Sequence, residues 1–457
     1  MYFPGKTRLR FWWNTFLFPG KSRHCDHSNS GWSKHQHLAA WFALIAVSVV
    51  VLFVNLSYPL IEPDETRYAQ IAIEMNRSGD WITPTLDGNP YLDKPPLMYW
   101  LTASSFTVFG TNEFAARLPS ALAALATIMI TFQLGMRIVG CRAAWLGAFS
   151  LLLSGGFVLA GRFLILDPLL SFFTTLSLFS GYIGLREPKH SVFWWGIAGL
   201  ACALGILAKG PVALVLCVPP LIASGWLHGD ESRPRWSHCG IFLTSIVLLC
   251  VPWYAAIWAS NPEFGSYFFW EHNFKRFTEG SNHHQPFWFY LPIIFGVMFP
   301  TSLLLPSLFA FLISRAERHR SIRTKDLGFL FFGSVWVLFF FSLSSCKLPT
   351  YILPAVPLIS LMTGMMLNLT VFQPEFPSRI AQFLKRFPQR STLTCSLTGI
   401  LVIVVDGWIG GVFSWMSAVA MISCFAILVM TLWFWNQEIA FAPRSWAFTM
   451  LVGAALT

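Results

Sequence analysis

The chain reads as an all-α polytopic membrane protein with about 12–13 transmembrane helices. Of its 457 residues 55% are hydrophobic and only 11% are charged, too little polar surface to cover a water-soluble globule. Apolar runs able to cross ~30 Å of hydrocarbon, about 20 helical residues each, recur along nearly the whole length. Lys and Arg gather in alternate connections between these runs, the positive-inside pattern of a membrane protein.

Taken in order, the expected spans are 39–61, 97–136 (a short or re-entrant piece, then a crossing), 143–161, 166–185, 191–208, 210–227 and 239–259. They continue at 287–313, 327–345, 350–371, 393–413 and 415–435. A last apolar run from 445 to Thr457 is too short to cross and reads as part of a truncated helix or as a segment resting in the interface. The first run is long and lacks a small-residue cleavage site, so it is expected to stay as an anchor. The division is therefore a basic cytoplasmic tail (1–38), a transmembrane core (39–371) with external loops 62–97 and 260–286, and C-terminal transmembrane helices (372–457).

Orientation follows from the cations. Lys6, Arg8, Arg10, Lys21, Arg23 and Lys34 mark the tail as cytoplasmic, and the loops with Arg137 and Arg142, Arg186 and Lys189, Arg233 and Arg235, Arg315 to Lys325, and Arg379 to Arg390 share its side. The net charge of +10 is then topology plus contact with anionic membrane lipids, and no nucleic-acid partner is implied. Nine cysteines, without CxxC spacing, read as small packed residues. The N-terminal "HCDH" with His35 and His37 reads as part of a solvated tail. No P-loop, Rossmann glycine fingerprint, GxSxG elbow or HExxH is present, which argues against nucleotide-dependent chemistry.

What remains is the charge on the external side. In "PDETRYAQIAIEMNRSGDWITPTLDGNPYLDKPP", Tyr68, Ile71, Ala72 and Met75 fall on one helical face with Arg67, Gln70, Glu74 and Arg77 turned away, predicting an amphipathic interfacial helix. Turn formers follow, and Pro95-Pro96 bars helix at Lys94, holding that lysine at the boundary of water and lipid. Asp64 and Glu65 read either as a helix cap with a first-turn acid or as catalytic carboxylates. Asp167, near Arg162 and before Pro168, reads as a cap or as a functional carboxylate at membrane depth. Lys209 in "LAKGP" and Lys347 in "SCKLPTY" run against the positive-inside bias; with Lys94, Arg67 and Arg276 they suit a phosphate esterified to a long lipid. The stretch "FGSYFFWEHNFKRFTEGSNHHQPFWFY" mixes aromatic faces with Glu271, His272, Asn273, His283 and His284. It suits a sugar-binding surface, an aromatic belt or, without recognisable zinc spacing, a divalent metal ion.

The strings "PDETRYAQIAIEMNRSGDWITPTLDGNPYLDKPPLMYWL", "NEFAARLPSAL", "LDPLL", "LAKGP", "YFFWEHNFKRF" and "KLPTYILPAVPLISL" resemble, in order, the lipid A aminoarabinose transferases and, more distantly, the protein O-mannosyltransferases, both GT-C glycosyltransferases. The resemblance implies a catalytic membrane core that moves a sugar from a polyprenyl-phosphate donor to a lipid or protein acceptor at the external face of the plasma membrane. It implies Asp64 and Asp167 as the loop acids, and Lys94, Arg67, Tyr68, Lys209, Lys347, Tyr351 and Arg276 as residues around the donor phosphate. Asp93 replaces a Glu common before "KPP", and the family's Glu-His pair aligns with His272-Asn273 or, with a gap, Glu271-His272. Asp93 and His272 are thus the candidate metal contacts. Two other readings share these features: a transporter or flippase of a lipid-linked sugar, and a surface-polysaccharide ligase or polymerase.

Overall fold

The computed structural model describes residues 33–228, 234–279, 284–314 and 323–372. The tail to residue 32, Arg233, Arg315, Arg318, Arg320, His283 and the spans expected beyond residue 372 lie outside them. Among the described residues, seven helices are long and apolar enough to cross a membrane: His35–Phe53, Glu113–Val139, Asp167–Arg186, Pro188–Lys209, Trp236–Ser260, Lys325–Leu343 and Pro349–Phe372. The protein is an all-α polytopic membrane protein.

The helices are α1 (Lys34–Phe53), α2 (Asp64–Ser78), α3 (Leu97–Phe109), α4 (Glu113–Val139), α5 (Cys141–Leu152), α6 (Gly155–Gly161), α7 (Asp167–Arg186), α8 (Ser191–Lys209), α9 (Val212–His228) and α10 (Trp236–Ser260). A π-helix, Ser266–Lys275, follows, and then α11 (Tyr290–Val297), α12 (Leu305–Ile313), α13 (Lys325–Leu343) and α14 (Val356–Leu367). Two expected crossings are broken. The run 143–161 turns at Leu153 and Ser154 between α5 and α6, and 287–313 is interrupted around Phe299-Pro300. Hydropathy reads both as continuous because a bend between apolar helices leaves the composition unchanged.

Contacts divide the chain into one unit of residues 1–302 and 321–365 and a second of 303–320 and 366–457; everything that follows belongs to the first. There, α5 and α14 approach closely: a Cβ on Gly364 would run into the Ala143 carbonyl oxygen and the Gly147 backbone. Small residues let helices without a water-driven force between them gain contact this way. At the end of the bundle that carries Arg186, Asp326 accepts from Tyr182 Oη at 2.8 Å and from Arg186, and Arg137 pairs with Glu187 at 2.6 Å.

The opposite end is built around one buried ion pair. Arg117 of α4 is fully buried, and Glu65 of α2 is 3% exposed. Nε donates to Glu65 Oε1 at 2.8 Å and Nη2 to Oε2 at 2.7 Å. The remaining guanidinium hydrogens go to the carbonyls of Leu56, Tyr58 and Pro59. Glu65 also accepts from the backbone of Ile61 at 2.8 Å and Leu164 at 2.7 Å. Chain segments before α2, in α4 and before α7 thus meet at two side chains.

Removing one partner of such a pair strands a charge, so Arg117→Ala is expected to destabilise the protein by about 3–5 kcal/mol. Arg117→Lys is expected to recover little of this, since an ammonium cannot reproduce the guanidinium fork. Thermal unfolding of the three proteins in one detergent measures both.

Candidate active site

Asp64 and Glu65 open α2 and carry the first-turn charges that a helix N-terminus favours; Gly79, at φ +72°, closes it with its N–H on the Met75 carbonyl. The predicted apolar face is buried, Tyr68, Ile71, Ala72 and Met75 included. A two-stranded hairpin follows, Thr85–Leu86 against Asn89–Pro90, turning on Asp87 and Gly88, both at positive φ, as a tight hairpin demands. Glu74 anchors that turn through Thr85 Oγ1 and the amides of Asp87 and Gly88. Asp80 likewise caps the amides of Ile82 and Thr83. Part of the charge in this loop therefore shapes it.

The helix ends supply the next layer. Asp167 begins α7 and Lys209 ends α8, each at the terminus its charge favours. Gly210 stops α8 at φ +97°, with Phe268 of the π-helix against it. Lys209 Nζ donates to Asp167 Oδ1, Thr350 Oγ1 reaches Oδ2 at 2.9 Å, and the ammonium lies 4.0 Å from the centre of the Tyr351 ring.

These elements close on a cavity of about 370 Å³. Lys94, Lys209 and Arg276 bring three cations to it, with His272, Asn273 and Tyr351; Val212, Val215, Phe269, Phe274, Phe277, Phe340 and Phe341 form an apolar wall. His272 Nε2 lies 2.7 Å from Lys94 Nζ and 3.5 Å from an Arg276 nitrogen. Asp93 stands behind, 3.8 Å from His272 Nδ1 and accepting from Tyr267 Oη at 2.6 Å. Beside the cavity, Arg67 lies 3.6 Å from Asp64, whose side chain is 49% exposed, and Arg67 also bonds Tyr91.

Burial pushes the Lys94 ammonium down to about 7, and the charges of Arg276 and Lys209 push the same way against Asp93 and Asp167. Burial and the Lys94 charge take His272 down to about 3, against Asp93, so its ring is neutral. Burial alone would raise the Asp93 carboxyl; the Tyr267 hydrogen bond first, and the Lys94 charge with it, outweigh it and hold it below its usual range. The Tyr68 phenol is pushed well up by burial and then by Tyr91, Asp64 and Asp167, which places it within reach of both acids' fields.

The structure thus gathers Lys94, Lys209, Arg276, Tyr351 and His272 at one cavity, with Asp167 behind Lys209 and Asp93 behind His272; Asp64, Arg67 and Tyr68 do not line it, and Asp64 and Arg67 connect to it through Tyr91, which bonds both Arg67 and Asp93. Two expected members turn away. Glu65 is not a free carboxylate: Arg117 and two backbone amides saturate it. Lys347, 4% exposed, does not line the cavity but donates to the carbonyls of Ser344 at 2.5 Å and Gln285 at 2.8 Å. Arg162 is bound to the carbonyls of Val51, in the last turn of α1, and Val54, just past its end. The expected metal site does not fit its residues: Asp93 and His272 come together, but Nε2 faces two cations, and no group of three or more metal-binding side chains occurs among the described residues.

Sequence reasoning missed Arg117, Tyr91, Tyr267 and Thr350. Arg117 left a signal, an arginine inside an apolar run. Tyr267 left none, being 174 positions from its partner.

A many-helix membrane fold with a cation-lined cavity at one end of the bundle defines a class, the polytopic membrane proteins. Residues 33–268 match the dolichyl-phosphate-mannose-protein mannosyltransferase family, and the chain belongs to that family. It is 33% identical over 328 residues to undecaprenyl phosphate-alpha-4-amino-4-deoxy-L-arabinose arabinosyl transferase 1 of Pseudomonas fluorescens, covering 70% of this chain and 56% of the relative. To the corresponding transferase of Edwardsiella ictaluri it is 33% identical over 343 residues, 73% of this chain and 60% of the relative. It therefore spans less than two thirds of these relatives. The crystal structure of ArnT from Cupriavidus metallidurans bound to undecaprenyl phosphate superposes with a TM-score of 0.73 at 25% identity, covering 91% of this chain and 76% of that one.

Because Lys94 titrates near neutrality, affinity for a lipid phosphate monoester is expected to fall up to about tenfold between pH 7.5 and 8.5, where such a phosphate is already doubly ionised. The sign follows from the charged, low-pH form of Lys94 being the one that attracts phosphate. Equilibrium binding across this range, compared with a Lys94→Arg variant whose charge does not titrate there, measures it.

Proposed function

We propose that this chain is a membrane glycosyltransferase that takes a sugar from a polyprenyl-phosphate donor and passes it to a lipid acceptor at the external face. One observation carries the reading: three cations, with His272, Asn273 and Tyr351, stand over a cavity that also has an extended wall of Val and Phe side chains, the complement of a phosphate joined to a long isoprenoid chain. The names of the relatives make 4-amino-4-deoxy-L-arabinose on undecaprenyl phosphate the first donor to try. Lipid A is the first acceptor and a protein the second. The positive-inside distribution supports the external placing.

In this reaction an acceptor oxygen bonds to the anomeric carbon as the bond from that carbon to the phosphate oxygen breaks. The leaving group is polyprenyl phosphate, and Lys94, Lys209 and Arg276 stabilise the charge it gains. Asp167 keeps Lys209 in place through their ion pair. Asp64 is the carboxylate left to take the acceptor proton: it is half-exposed, and its only ion-pair partner among the described residues is Arg67. Tyr91, half-buried, offers aromatic surface to the sugar, with the buried Tyr68 behind it. Arg67, bound to both Asp64 and Tyr91, ties the base to that surface.

With purified protein in liposomes, labelled donor and lipid A, Asp64→Asn is expected to lower turnover about 100-fold or more. Lys94→Ala is expected to do at least as much, with both variants folded in the membrane. Turnover like the wild type in both would overturn the site assignment, and label reaching protein alone would replace the lipid acceptor.

A further inference from the structure

His272 faces the wrong way for a metal ligand and the right way for another task. Its Nε2 is 2.7 Å from Lys94 Nζ and 3.5 Å from Arg276. Both neighbours carry only N–H donors, so Nε2 presents its lone pair and the ring hydrogen sits on Nδ1. That side faces Asp93 Oδ1 at 3.8 Å, and the same oxygen is held by the Tyr267 hydroxyl at 2.6 Å. The Tyr267 ring lies over the imidazole with centroids 6.2 Å apart. A metal at Nε2 would have to displace the two cations. At Nδ1 it would find one further protein ligand, Asp93, among the described residues.

We propose that His272 is a positioning residue for Lys94: a neutral acceptor, oriented by Asp93 and Tyr267, that holds the Lys94 ammonium at the cavity where a metal ion would otherwise supply positive charge. The need for such a residue is physical. A lysine is a point charge on a flexible four-carbon stem, and Arg276 and Lys209 on the same cavity repel it. Without an acceptor among these cations, the ammonium swings outward to water. With one, a single N–H is committed to His272 and two remain for an incoming phosphate. The line also joins the segment before α3 to the π-helix, so two distant stretches of chain meet at the lysine.

The proposal rests on the donor-phosphate reading, and its test separates the two. Undecaprenyl phosphate binding to the full chain in nanodiscs is compared for wild type, His272→Gln, His272→Asn and His272→Leu, with metal content measured by mass spectrometry before and after chelation. A glutamine amide oxygen can reach the place of Nε2, whereas an asparagine amide sits at that of Nδ1. Gln is therefore expected to keep the dissociation constant within about threefold, while Asn and Leu raise it tenfold or more. Chelated wild-type protein is expected to bind as before. Equal binding by all three variants would overturn the proposal, as would a stoichiometric metal whose removal abolishes binding and which all three variants lose. Should the Leu variant fail to fold, the Gln to Asn comparison and the chelated wild type decide. If the wild type itself does not bind undecaprenyl phosphate, the donor reading falls and this proposal with it.

Discussion

A guanidinium and a carboxylate out of reach of water, Arg117 and Glu65, are the constraint on which the site end of the molecule depends. Each ion costs several kcal/mol to desolvate, and such a pair holds only when every remaining hydrogen and lone pair is matched. Here the matching is done by backbone: three carbonyls before α2 on one ion, and two amides, before α2 and before α7, on the other. Satisfying the ions therefore fixes where α2 begins relative to α4 and α7. Asp64 is the residue next to Glu65, and Asp167 lies three residues beyond Leu164. Both acids inherit their positions from a pair whose hydrogens and lone pairs are already matched.

Around that anchor the charges of the site are arranged by helix ends. Asp167 opens α7 and Lys209 closes α8, neighbouring antiparallel helices, so the two termini meet and the macrodipoles favour the signs found there. Their pairing keeps Lys209 from snorkelling away to water. Among the described residues Lys94 has no carboxylate in hydrogen-bond contact and is held by a neutral ring among other cations. The result is an excess of positive charge at one spot, a condition a protein core avoids unless an anion is to occupy it.

Much of this was open to reading before any coordinates. The amphipathic face of Tyr68, Ile71, Ala72 and Met75 buries as its spacing requires, and Pro95-Pro96 leaves Lys94 outside a helix. Lysines that run against the positive-inside bias singled out Lys209, which lines the cavity. The same signal misled at Lys347, because a lysine may be kept for carbonyls as well as for a ligand, and spacing does not distinguish them. Glu65 was indistinguishable from Asp64 for a related reason. Adjacent residues on a helix point about 100° apart, and only the neighbours decide which one meets water.

By itself, then, the sequence determined what local and one-dimensional physics controls: where the apolar runs lie, which turn residues bound α2 and the loop after it, and which residue types stand between the runs. Only the tertiary structure decided which carboxylate is buried and saturated and which is half-exposed, that His272 faces Lys94, and that Tyr267 reaches Asp93. Those outcomes are contacts between segments far apart in the chain. Their energies depend on distance and burial, which residue order does not carry.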